Sequence, residues 1–355
     1  MTKPRAPLRT ASQLVAAGLV PEPQRLAIEE IAATYSIGIT GAMIDLIDRA
    51  DPADPIARQF VPSPGELLSQ PDETEDPTGD QAFSPVDGIV HRYPDRVLLK
   101  LSHVCPLYCR FCFRRAFVGR AGSFHLGPQA LAAAIGYISD NPAIWEVILT
   151  GGDPLALSPR RLADIMGRFR EICHVRVLRL HTRVPVAEPA KVTLELARIL
   201  LASGKAVYVA LHANHPRELS QAARRACARF IDAGIPMVSQ SVLLAGVNDD
   251  IETLAALMRA LVEARIKPYY LHHLDPAPGT AHFRVPIEKG QELMRQLRGR
   301  LSGLCQPHYV LDIPGGHGKS PIGPNYLAES VPGGPYEIFD YQGRPHMYPL
   351  GAAGR

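Results

Sequence analysis

The chain has 355 residues, 46% of them apolar, a globular composition and a length sufficient for one large α/β barrel or two ordinary domains. No apolar run approaches the roughly 20 residues of a membrane span, and a net charge of +3 is too small to argue for nucleic acid or an anionic membrane as partner. Six cysteines in such a length exclude a disulfide scaffold, and Cys173, Cys227 and Cys305, scattered singly, read as buried small hydrophobes.

At the start of the chain Lys3, Arg5 and Arg9 precede a short apolar stretch, Leu14–Val20, with no clear small-residue cleavage site after it. The reading is a cytoplasmic start. From Pro23 to Ala50 the periodicity is helical, with Leu26, Ile28, Ile31, Met43, Ile44 and Ile47 as its apolar positions. Proline and acidic residues dominate 51–80, and PDETEDPTGD reads as a solvated loop without chemistry.

Beyond Arg96, short β-branched runs alternate with helical patterns. The strands are expected at Val97–Ser102, Glu146–Thr150, Val175–His181, Ala206–His212, Pro236–Gln240 and Tyr269–His273. The helices are expected near Gln129–Asp140, Pro159–Arg170, Ala190–Ala202, Arg217–Ala233, Ile251–Ala264 and Glu288–Leu301. Such alternation implies parallel strands with right-handed crossovers. A doubly wound open sheet fits that rhythm nearly as well. Polar residues that end strand after strand, His181, His212, Gln240 and Asp275, favour a barrel with its mouth at the strand carboxyl ends.

The first expected strand runs into Cys105-Pro-Leu-Tyr-Cys109-Arg-Phe-Cys112. Three thiolates at this spacing can hold three irons of a cubic cluster and leave the fourth open to a small molecule, where electron-transfer sites close all four. A structural zinc site is the competing reading, but zinc wants four ligands and only three cysteines gather here. One βα unit later stands Thr150-Gly151-Gly152-Asp153-Pro154-Leu155, whose paired glycines allow close approach of a ligand to the backbone.

The run 311–321 puts Lys319 among glycines as Pro-Gly-Gly-His-Gly-Lys-Ser. A phosphate loop is excluded because Ile313 stands where its first glycine belongs and because Pro321 and Pro324 block a following helix. Another chemistry open to a lysine among flexible glycines is a Schiff base with pyridoxal phosphate (PLP).

The spacing of the cysteines, with an aromatic residue before the last, resembles the radical S-adenosylmethionine (SAM) superfamily, whose open iron chelates SAM. Taken in order, the triplet, GGDPL, His-Ala-Asn-His-Pro at 212–216, SQSVLLAGVND at 239–249 and PGGHGKSPIGPNY at 314–326 resemble lysine 2,3-aminomutase and its relatives. That likeness runs from about Leu8 to Tyr341. It implies a partial (β/α)6 TIM-like barrel of the radical SAM type, with an N-terminal helical region and linker (1–90), the barrel (91–303) and a C-terminal PLP-binding extension (304–355). It implies a [4Fe-4S] cluster on Cys105, Cys109 and Cys112, and SAM held at Gly151, Gly152 and Asp153 with His212 and Gln240 near its ribose. It further implies PLP on Lys319, its phosphate held by Arg92, Tyr93 and Arg96, and an electron donor such as flavodoxin or ferredoxin.

For the substrate, the same likeness matches Arg114 to the arginine that clamps the α-carboxylate, with Arg110 and Arg115 as near neighbours. It matches Asp275 and Asp312 to the two aspartates that receive the side-chain ammonium of lysine. Two acids facing one buried cation make chemical sense, and a glutamate-specific relative would need the opposite charge there. The expected reaction is therefore conversion of L-lysine to β-lysine. A role in elongation factor P β-lysylation, another amino acid as substrate, a radical SAM enzyme acting on RNA or protein, and an iron–sulfur scaffold are the alternatives. No cysteine follows Cys305, so the zinc-binding C-terminus of some members is missing, and homo-oligomeric assembly stays open with the brief tail MYPLGAAGR.

Overall fold

The computed structural model describes residues 5–119, 125–328 and 335–349. Its centre is one nine-stranded sheet whose strands follow chain order. Strand β1 (Ile89–Tyr93) pairs antiparallel with β2 (Arg96–Ser102). From β2 the pairing is parallel through β3 (Glu146–Gly151), β4 (Val177–Thr182), β5 (Ala206–His212), β6 (Met237–Val242), β7 (Lys267–His272) and β8 (His308–Ile313). Strand β9 (Gly318–Pro321) turns back antiparallel on β8. The architecture is the α/β partial barrel expected, extended by one parallel strand beyond the six and flanked by an antiparallel strand at each edge.

The rhythm of apolar residues explains the layers. Val147, Ile148 and Leu149 on β3 are all buried, as strands covered on both faces require. The helix Pro159–Arg170 turns Leu162, Ile165, Met166 and Phe169 inward at helical spacing. Its N-terminus is capped by the Ser158 hydroxyl, which accepts from the Arg161 N–H, an arrangement that contributes about 1 kcal/mol. No helix among the described residues is long and apolar enough to cross a membrane.

Several expectations need correction. Leu26 is 71% exposed, because the helix Arg25–Thr34 buries Ile28 and Ile31 and carries Leu26 on its outer side. Cys173 is exposed, whereas Cys227 and Cys305 are buried. The glycine-rich run around Lys319 is a β-hairpin rather than a loose loop, with Asp312 paired to Lys319 in register across it. The acidic stretch 51–80 is not solvated throughout, since Asp54, Glu66, Thr78 and Asp80 are buried. A small hairpin of β10 (Tyr336–Phe339) and β11 (Pro345–Tyr348) follows, and the end of the tail, 350–355, lies outside the described residues.

The barrel is not closed by a ladder. Between its edge strands β1 and β9 the Tyr93 hydroxyl accepts the Lys319 backbone N–H at 2.7 Å. A Cβ at Gly318 would stand 2.7 Å from that hydroxyl, so glycine is what lets the lips approach.

Candidate active site

The carboxyl ends of β2 to β8 surround a cavity of about 530 Å³, within the range of ligand pockets. Every residue singled out for the site lines it: the three cysteines, Gly151, Gly152, Asp153, His212, Gln240, Arg92, Tyr93, Arg96, Arg114, Asp275, Asp312 and Lys319.

Cys105, Cys109 and Cys112 follow β2 in a tight loop, and all three thiols are free. Burial pushes each thiol up, Cys109 to about 12, so a bound metal centre would have to displace their protons. Among the described residues no three His, Cys, Asp or Glu side chains converge on one point as a single ion requires. Three thiols on one loop beside an open cavity are the donor set of a cluster that leaves one iron to a small molecule. Behind the loop, Arg110 and Arg115 are both buried and both ion-paired with the buried carboxylate of Glu66. That leaves Arg114 as the arginine of the three that lines the cavity.

The glycines of the Gly151-Gly152 turn line the cavity and also stand close to neighbouring backbone. A Cβ at Gly151 would lie 2.3 Å from the Ser102 carbonyl oxygen, and one at Gly152 would lie 2.4 Å from that of Val104. The turn is pressed against the start of the cysteine loop. Asp153 is buried and its oxygens are engaged internally, accepting from the Thr182 hydroxyl and from the N–H groups of Leu155 and Arg183. Arg183 itself is buried beside Phe60 and Phe111 and donates to Glu218 at 2.6 Å. It places a fixed positive charge near the cysteines, and the sequence carried no sign of this beyond its place just after a strand.

His212 and Gln240 sit opposite each other in the parallel register of β5 and β6. Gln240 Nε2 lies 3.3 Å from His181 Nε2, and the His181 and His212 rings meet edge to face. Burial, aided by Arg183, depresses His212 to about 3, so its imidazole is neutral at physiological pH.

On the far lip, Lys319 Nζ is ion-paired with Asp312, at 2.6 Å from Oδ1. Against the cost of burial, His272 and the Lys319 ammonium hold Asp312 well below the usual carboxylate range. Asp275 behaves oppositely. Burial first, and then the charge of Asp312, push it up to about 7, and its Oδ1 has no partner among the described residues. Arg96 stacks 3.7 Å from the centre of the Tyr93 ring and pairs with Asp95, while Arg92 pairs with Asp80. Asp80 and Thr78 line the cavity too, from a stretch that had been read as linker.

Residues 99–258 match the Radical SAM superfamily, and residues 294–333 match the family described as Lysine-2,3-aminomutase. The chain is 43% identical over 309 residues to the L-lysine 2,3-aminomutase of Acetoanaerobium sticklandii, covering 87% of this chain and 74% of that one. It is 41% identical to the L-lysine 2,3-aminomutase of Clostridium subterminale (84% and 72% covered). It is 36% identical to the glutamate 2,3-aminomutase of Clostridioides difficile (84% and 70% covered). The two matched segments divide at the cavity, one bearing the cysteines and the other bearing Asp312 and Lys319. With likeness of this extent, the chain belongs to the lysine 2,3-aminomutase family of radical SAM enzymes, isomerases whose cofactors are a [4Fe-4S] cluster, SAM and PLP.

Proposed function

We propose that the enzyme converts L-lysine to β-lysine by moving the amino group from carbon 2 to carbon 3. The observation that carries this reading is a pair of acids in one cavity, the buried Asp312 and the half-buried Asp275, whose Oδ1 has no partner among the described residues. A buried carboxylate is costly unless a cation reaches it. The distal ammonium of lysine supplies that cation, and Arg114 in the same cavity suits the α-carboxylate with its planar donors.

When bound, the cluster and SAM supply a carbon radical able to take hydrogen, and PLP supplies a π-system across which nitrogen can migrate. The chain's own contribution is placement. Cys105, Cys109 and Cys112 hold the cluster, and the Gly151-Gly152 turn, with His212 and Gln240, forms the adjoining wall for SAM. Asp153 serves that wall by fixing the turn. Lys319 carries PLP, and Arg92, Tyr93 and Arg96 provide donors toward its phosphate. Asp275 and Asp312, both lining the same cavity, would face the substrate ammonium. Buried apolar side chains such as Leu107 and Leu274 exclude water from the radical. Flavodoxin or ferredoxin would deliver the electron.

The test is an anaerobic assay of the reconstituted protein with dithionite, SAM and PLP against lysine, arginine, ornithine and glutamate. Lysine is expected to turn over fastest. Reaction of glutamate without lysine would overturn the assignment of the two acids. Replacing Lys319 by Ala should abolish turnover and stoichiometric PLP while the iron content and brown colour persist. Retained turnover would remove Lys319 from the mechanism.

A further inference from the structure

Asp80 is 7% exposed, although the sequence around it reads as solvated loop. Its turn is built locally, with the Asp76 carboxylate accepting the N–H groups of Asp80 and Gln81 at 2.8 and 2.9 Å. The Asp80 carboxylate then reaches across to two guanidiniums from different parts of the chain. Its Oδ1 accepts from Arg92 on β1 at 2.8 Å and from the Thr78 hydroxyl at 3.1 Å. Its Oδ2 accepts from Arg114 in the cysteine loop at 3.1 Å. Arg114 is fastened a second time, donating to the Thr150 hydroxyl at 3.2 Å. The Nε–H groups of Arg92 and Arg114 are buried and have no acceptor among the described residues.

A guanidinium carries its five N–H donors in one rigid plane. Fastening its terminal nitrogens to Asp80 and Thr150 stops rotation of that plane in Arg114 and leaves the Nε–H with a binding requirement unmet. The same carboxylate stops Arg92. We propose that Asp80 is a positioning residue that ties the two arginines into one unit, presenting Arg114 to the α-carboxylate of the substrate and Arg92 to the phosphate of the cofactor. This rests on the reading of Arg114 as the carboxylate clamp. The rival role for an acid here is to damp excess positive charge, and the two roles differ in sign. Loss of a positioning acid weakens anion binding, whereas loss of a damping acid strengthens it.

The test uses the reconstituted, PLP-loaded enzyme without reductant and compares binding of L-lysine with that of lysinamide, which lacks the carboxylate. Asp80→Asn is expected to weaken lysine binding about tenfold, the scale of one charge-assisted hydrogen bond. Lysinamide should shift less than about threefold, and the dissociation constant of PLP should rise. Thr150→Val should move the preference in the same direction by less. Tighter lysine binding in Asp80→Asn, or equal losses for both ligands, would overturn the proposal. Where Asp80→Asn does not fold, Asp80→Glu keeps the charge but displaces the oxygens, and an unchanged preference there overturns it equally. An Arg114→Lys enzyme with an unaltered lysine-to-lysinamide preference would instead show that the clamp itself is misassigned.

Discussion

Asp275 and Asp312 are two aspartates in one cavity with opposite tendencies, and the difference comes from the close partners of Asp312, His272 and Lys319. Asp312 has the Lys319 ammonium at hydrogen-bond distance, while Asp275 has an oxygen without a partner among the described residues and a charged neighbour of its own sign. Asp275 therefore carries a proton below neutrality and gives it up as the pH rises through about 7. Lysine binding should weaken as pH falls from 8 to 6, read as the dissociation constant in titrations across that range. The stability consequence has the opposite sense. The folded chain keeps a proton that an unfolded one, with the ordinary value of 3.8, has already lost, so Asp275 subtracts from stability as pH rises from there toward 7. An Asp275→Asn enzyme should show less fall in stability across that window when unfolded by urea. Its kcat/KM for lysine should drop by more than about a hundredfold, because leaving a buried ammonium half-paired costs on the order of 3–5 kcal/mol. The cysteine triplet and Lys319 stand out in the sequence because each belongs to a local pattern of spacing, and the fold brings both to one cavity. Glu66 and Asp80 do not, since each meets its arginine partners across more than ten residues of intervening chain, and an acid in a proline-rich run looks the same whether solvated or buried.

At the scale of elements, the strand–helix rhythm carried through because each strand is a compact apolar run and each crossover a separate amphipathic helix. Helix Pro159–Arg170 begins and ends where its pattern does. Strand β8 escaped because only Tyr309, Val310 and Leu311 mark it before the turn glycines begin. The Gly151-Gly152 turn illustrates the limit from the other side: two glycines signalled a close approach, and only packing revealed that the approaching group is the cysteine loop. That leads to a prediction. Gly152→Ala forces a Cβ to within 2.4 Å of the Val104 carbonyl, backbone against backbone, so the loop must shift. The purified variant should hold markedly less iron and sulfide than wild type, with its PLP content little changed. Normal iron content would mean that the cysteine loop tolerates displacement.

For the whole molecule, the seam between β1 and β9 has, among the described residues, a side-chain hydrogen bond at Tyr93 where a closed barrel would have a ladder. Tyr93→Phe removes it, at about 1 kcal/mol for a typical bond, and should speed hydrogen exchange at the Lys319 amide by about fivefold while leaving β5 unaffected. The two lips are 226 residues apart in the chain. The proposed phosphate donors and Lys319 are thus brought together by the fold across nearly all of the intervening βα units. On the proposed roles, a chain cut before Gly318 would keep its three cysteines and lose the lysine for PLP. Truncation at that point would therefore separate the two proposed cofactor sites, keeping one and losing the other.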